Sequence, residues 1–169
     1  KLYDSLFTPF DLGKFEFFVN LYAKSAESSD VSLFNFKELL KVHKDLKNLN
    51  YDYKRKDAIS AGFFDLTLAF IKMTPLTDQE VDELLELLDQ EASSAYYLTN
   101  ISICNTLQYL LKNYDFDFIS GIELLEKIWE QITSERLVLN QKLMHLKFIE
   151  TLFDEKLLKD SINNEYNAK

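Results

Sequence analysis

Asp115-Phe116-Asp117-Phe118-Ile119-Ser120, with Glu126 at the twelfth position, begins as a calcium-binding loop begins. Alternating carboxylates offer hard oxygen ligands, and a closing Glu completes such a cage. The pattern fails where the test is sharp: Ile119 stands in place of an oxygen ligand and Ser120 in place of the turning Gly. His43 and His145 lie 102 residues apart, and neither has a Glu three positions before it, which removes the Glu-x-x-His signature of di-iron sites. Zinc-type spacings of Cys and His are absent as well. Gly13, Gly62 and Gly121 are isolated, so no phosphate-cradling loop can be assembled from them. His43 shares a helical face with Phe36, Leu39, Leu40 and Leu46, as a packed histidine would. Cys104 sits in an apolar stretch, as a small buried hydrophobe would. Asp65 interrupts a strongly apolar run and is expected on an exposed strip or bonded to a neighbouring helix. These residues specify no catalytic, cofactor-binding or metal-ligating set, and the chain reads as non-enzymatic.

Two charged stretches could recognise a partner. KVHKDLKNLNYDYKRK, residues 41–56, gathers Lys41, Lys44, Lys47, Lys54, Arg55 and Lys56 around Tyr51 and Tyr53, diluted by Asp45, Asp52 and Asp57. Cations interleaved with aromatic rings suit phosphorylated peptides or single-stranded nucleic acid. TPLTDQEVDELLELLDQEASS, residues 74–94, carries seven carboxylates within fourteen residues and lies in a span, Lys72 to Lys112, with no intervening Lys or Arg. Its outward acids, with Glu83, Glu86 and Asp89 as the candidates, read chiefly as the solvated face of a helix and secondarily as a dock for a basic peptide. The candidate partner-binding residues are thus Lys44, Lys47, Lys54, Arg55, Lys56, Glu83, Glu86 and Asp89.

The charge is uneven. Residues 1–72 hold eleven basic and ten acidic groups, whereas residues 73–169 hold eight against eighteen within a total of −9. General nucleic-acid binding is disfavoured by that total, so an acidic partner must find the basic hinge. No apolar run reaches the ~20 residues that a membrane span needs. A lone cysteine suits a reducing, intracellular compartment, cytoplasmic or nuclear.

The elements that position these side chains announce themselves by their starts. Thr77-Asp78-Gln79-Glu80 is a capping box, in which a hydroxyl takes the backbone N–H of the Glu and the carboxylate returns to the cap. Asn35-Phe36-Lys37-Glu38 and Ser120-Gly121-Ile122-Glu123 repeat it, so the caps fall at 35, 77 and 120, spaced 42 and 43 apart. Each is flanked by an apolar staple pair: Phe34 and Leu39, Leu76 and Val81, Ile119 and Leu124. Each box predicts an amphipathic helix, over 36–49, 78–91 and 121–132, followed by a more apolar one over 53–73, 95–113 and 136–157. One period earlier, FDLGKFEFFVNLYAKSA (10–26) is another apolar helix, with Thr8 and Pro9 as its expected start. With only three Gly and two Pro in 169 residues, hairpins are disfavoured.

A period of ~40–47 residues with two helices in each unit resembles HEAT and armadillo-type α-solenoids. That resemblance implies an all-α, right-handed superhelix of about three and a half antiparallel helix pairs, seven helices in all, over residues 1–160, with a polar tail at 161–169. The chain starts at Lys1 rather than Met and reads as a fragment of a longer protein. The rest of that protein is expected to cover the ring-rich first helix. Helical repeats bind partners through extended surfaces, so the expected function is a non-enzymatic protein-interaction module of a scaffold or adaptor, with protein partners and no cofactor. The alternative is a compact helical domain that binds an acidic or phosphorylated peptide, or RNA, through Lys41–Lys56.

Overall fold

The computed structural model describes residues 10–27, 34–92 and 97–114, with isolated positions at 130, 139, 142–143 and 146. Every element among the described residues is an α-helix: α1 Leu12–Ala26, α2 Phe36–Lys47, α3 Tyr53–Met73, α4 Asp78–Ala92 and α5 Tyr97–Asn113. All five match helices predicted from the sequence to within two residues at every end. The box at Ser120, the two helices expected beyond it, the calcium-like segment, His145 and the 161–169 tail lie outside the described residues.

Side-chain oxygens at the starts of these helices take up backbone N–H groups that the helices leave unpaired. Asn35 accepts from the Glu38 N–H at 3.0 Å while the Glu38 carboxylate takes the Asn35 N–H at 2.9 Å, a complete capping box. Thr77 and Glu80 repeat it: the Thr77 N–H reaches Glu80 Oε2 at 2.9 Å and the Glu80 N–H reaches Thr77 Oγ1 at 3.4 Å. The first helix departs from expectation. Asp11, not Thr8 or Pro9, caps α1 by accepting the Lys14 N–H at 2.9 Å, so the helix starts just past Asp11. A carboxylate placed three residues before a free N–H is the stronger local start signal.

The apolar helices pack on one another. α3 touches α1 on one side and α5 on the other, while α2 packs on α3 and α4 on α5. Alternate helices therefore lie side by side, α1–α3–α5. At the α1–α3 crossing a Cβ on Gly62 would come within 3.0 Å of the buried Phe15 ring, so Gly allows the close approach. An aromatic file, Phe18–Tyr22–Phe34–Phe70, ties α1 and the segment before α2 to α3, with Phe34 stacked between Tyr22 at 4.9 Å and Phe70 at 5.5 Å. The ring expected to staple α2 thus bridges three parts of the chain. Leu39, Phe64, Phe70, Leu84, Leu88 and Leu107 are fully buried.

The α3–α5 contact is also polar, and in a fixed register. Asp57 accepts from the Leu98 N–H at 3.1 Å, and from the N–H and hydroxyl of Thr99, both at 2.9 Å. Farther along, the Thr106 hydroxyl reaches the Phe64 carbonyl at 3.3 Å. These pairs lie 41 or 42 residues apart in sequence, the spacing of the first two caps. On α4, Val81, Leu84, Leu85, Leu88 and Ala92, which share one face at helical spacing, are buried, and Leu87, which flanks that face, is buried with them.

Candidate nucleic-acid interface

The turn between α2 and α3 carries the basic hinge. Lys41, Lys44 and Lys47 lie exposed on α2, and Lys54, Arg55 and Lys56 are exposed in the first turn of α3. Two of the acids that dilute this stretch hold helix starts. Asp52 Oδ1 caps α3 by accepting the Lys54 and Arg55 N–H groups, both at 3.1 Å, and Asp57 caps α5. Their carboxylates sit at helix N-termini, where anionic charge is favoured, and of the two Asp52 also approaches the Arg55 side chain.

The two tyrosines differ. Tyr51 is half-buried, with its ring 6.0 Å from that of Phe10 and the Arg55 guanidinium 5.8 Å above it. Arg55 also approaches Asp52 Oδ2 at 3.7 Å, which fixes its direction. Tyr53, two residues on, is 63% exposed. Of the two aromatic candidates, Tyr53 is the more exposed.

Lys47 is engaged on the other side. Its ammonium pairs with Glu91 Oε1 at the end of α4, and His43 Nε2 stands 3.6 Å from the same oxygen. The His43 ring also lies 4.8 Å from Phe63, confirming it as a packed histidine. Burial raises the Glu91 pKa, but hydrogen bonds from His43 and Lys47 and the Lys47 charge outweigh it, and the carboxyl ends below its usual 4.5. Sequence periodicity within each helix held no sign of this bridge. It joins acidic α4 to basic α2, and only the packing brings those helices together.

The other candidates resolve simply. Glu83 and Glu86 are exposed on the outer face of α4, where Glu83 accepts from Gln79 Nε2 at 3.0 Å, and Asp89 is half-buried on the same helix. Cys104 is buried on α5, and burial pushes its thiol up to about 12, so it is a core residue with no thiolate at neutral pH. Asp65 stays solvent-exposed while bonding Ser102 of α5; partial burial raises its pKa and the Ser102 bond lowers it, with burial prevailing. It is the carboxylate expected to bond a neighbouring helix. Among the described residues no group of three or more His, Cys, Asp and Glu side chains could hold a metal ion. No helix there is long and apolar enough to cross a membrane.

No family model matches the chain and no solved structure resembles it. It is similar to the tRNA (guanosine(18)-2'-O)-methyltransferase of Saccharomyces cerevisiae, with 31% identity over 94% of its own length. The chain spans 13% of the length of that relative. The likeness overturns the expectation of a non-enzymatic scaffold or adaptor: the protein it resembles along nearly its whole length is an enzyme of tRNA. Amphipathic periodicity reports which faces are buried. Burial is the same in an adaptor and in a segment of an enzyme, so the pattern held no means of telling them apart.

Proposed function

We propose that this chain is a segment of an RNA-modifying enzyme, one that methylates a ribose 2'-hydroxyl of guanosine in tRNA. The observation that carries the reading is the likeness to the yeast tRNA methyltransferase along 94% of the chain. Within such an enzyme the segment holds RNA at the hinge between α2 and α3, where Lys44, Lys54, Arg55 and Lys56 present positive charge to solvent. A polyanion is drawn to that place on a chain whose net charge of −9 repels it elsewhere. Lys47 is shared with Glu91 and contributes less. A tRNA substrate is encountered in the cytoplasm or the nucleus.

The side-by-side order of α1, α3 and α5, bonded at a 42-residue offset, supports an α-solenoid of HEAT or armadillo type as the scaffold of this surface. The deciding experiment is methyl transfer to unmodified tRNA by the whole enzyme that carries this segment, followed by nuclease digestion and mass spectrometry of the nucleosides. The expected product is 2'-O-methylguanosine at position 18, the position acted on by the yeast relative. A different methylated nucleoside, or none, would remove the reading.

A further inference from the structure

We infer that Tyr53 is a stacking platform for an unpaired RNA base, which makes the hinge a reader of single-stranded nucleotides. The inference rests on the reading of the hinge as an RNA contact and narrows the RNA to a structural class. Four observations converge on it. Tyr53 is the first residue of α3 and is 63% exposed, so most of the residue is accessible to a ligand. Lys54, Arg55 and Lys56 follow it directly and are exposed, so positive charge for a phosphate backbone adjoins position 53. The neighbouring Tyr51 is closed to such a role, because it packs toward Phe10 and lies beneath Arg55. Asp52, the nearest acid, is tied to the Lys54 and Arg55 N–H groups and to the Arg55 side chain, which directs its charge into the helix start.

Stacking needs an unpaired base. In a duplex the base faces are already covered by their neighbours, and a paired helix offers a protein phosphates and 2'-hydroxyls instead. One aromatic ring bordered by cations is the arrangement that holds single strands without reading their sequence. The cations alone would hold duplex and single strand alike through phosphate. The ring is what separates the two, so recognition of unpaired nucleotides depends on Tyr53.

The test measures the protein's affinity, at low salt, for a fluorescent single-stranded RNA of about ten nucleotides, a binding-site scale for such surfaces, and for a fully paired duplex of equal length. Tyr53→Ala should weaken single-strand binding about tenfold, within the range set by loss of one stacked base. Tyr53→Phe should leave it unchanged, and neither variant should alter duplex binding. A 2-aminopurine base within the strand should be quenched on binding by the wild type and not by Tyr53→Ala. Reversal of Lys54, Arg55 and Lys56 to Glu should weaken both ligands and flatten their salt dependence. Tyr53 is exposed, and unchanged thermal unfolding of both variants checks that the fold persists. Equal loss of duplex and single strand in Tyr53→Ala, or no loss in either, overturns the stacking role. If the triple reversal also has no effect, the hinge is not the RNA contact at all. Methyl transfer in the wild type is decided independently of both results.

Discussion

The helices fall into two kinds that are secured in different ways. α3 and α5 are apolar around most of their circumference and lie against each other through buried side chains such as Phe64 and Leu107. They are pinned in register by Asp57 and Thr106. α2 and α4 bury one face each, begin at full capping boxes, and leave their charged faces to solvent. The first pair is specified by what it touches far away in sequence, the second by signals within a few residues. Exposure follows much the same division. Most of the solvated charges of these four helices belong to α2, to α4 and to the first turn of α3, with Asp65, Lys72 and Lys112 as exceptions, while the α3–α5 contact is buried.

The largest effect should come from the buried pair. Phe64→Ala removes a fully buried ring whose neighbour Phe63 lies 5.1 Å away, centre to centre. It should cost about 3–5 kcal/mol in urea unfolding, the usual range for a buried aromatic. On the outer face of α4, Glu86→Ala should change stability by less than about 0.5 kcal/mol. If the two values were comparable, the contrast between the layers would be lost.

Next in size is the long-range cap. Asp57→Ala leaves the Leu98 and Thr99 N–H groups without their acceptor and the Thr99 hydroxyl with only the residue 57 carbonyl, at 3.3 Å, although α3 itself keeps Asp52 as its cap. The loss should be about 1–2 kcal/mol, the upper part of the range for N-caps, because one carboxylate serves three donors. Hydrogen exchange should show it at the start of α5 and not at the start of α3. Thr77→Ala, at a local cap, should cost about 1 kcal/mol. Protection lost equally in both helices of the Asp57 variant would mean that the carboxylate secures α3 rather than the register.

That division also explains what could be read from residues alone. The boxes at Asn35 and Thr77 were legible because a cap and its Glu lie three residues apart, so their chemistry is written locally. The 42-residue offset followed from comparing them, and it reappears as the α3–α5 register. The role of Asp57 was not legible: in sequence it is one more acid beside a basic run, and only α5 packed on α3 gives it three donors. The difference between Tyr51 and Tyr53 was hidden for the same reason, since it depends on Phe10 arriving from before α1. Enzyme or adaptor was legible least of all, because helical periodicity reports burial and a helical surface serves either role.

The smallest effect should be the most informative about how the two charged helices are joined. Glu91 on α4 is shared by Lys47 and His43 on α2, and its pKa lies below 4.5. A carboxyl whose folded pKa is depressed binds its proton less readily in the native state than in the unfolded chain. Its contribution to stability is therefore fully present above the unfolded value and is lost as pH falls through the folded one. Wild type and Glu91→Gln should differ by a constant amount above about pH 5, and the difference should shrink steadily as the pH is lowered. Other carboxyls titrate in both proteins, so the difference isolates Glu91. The constant part should be about 1 kcal/mol or less, because Lys47 stays half in water and screening weakens the pair. A double-mutant cycle with Lys47→Met should recover most of that amount as coupling between the two residues. Zero coupling, or a difference that stays level down to pH 3 (about the lowest pH at which such carboxyls report), would mean that α2 and α4 meet only through their neighbours α3 and α5.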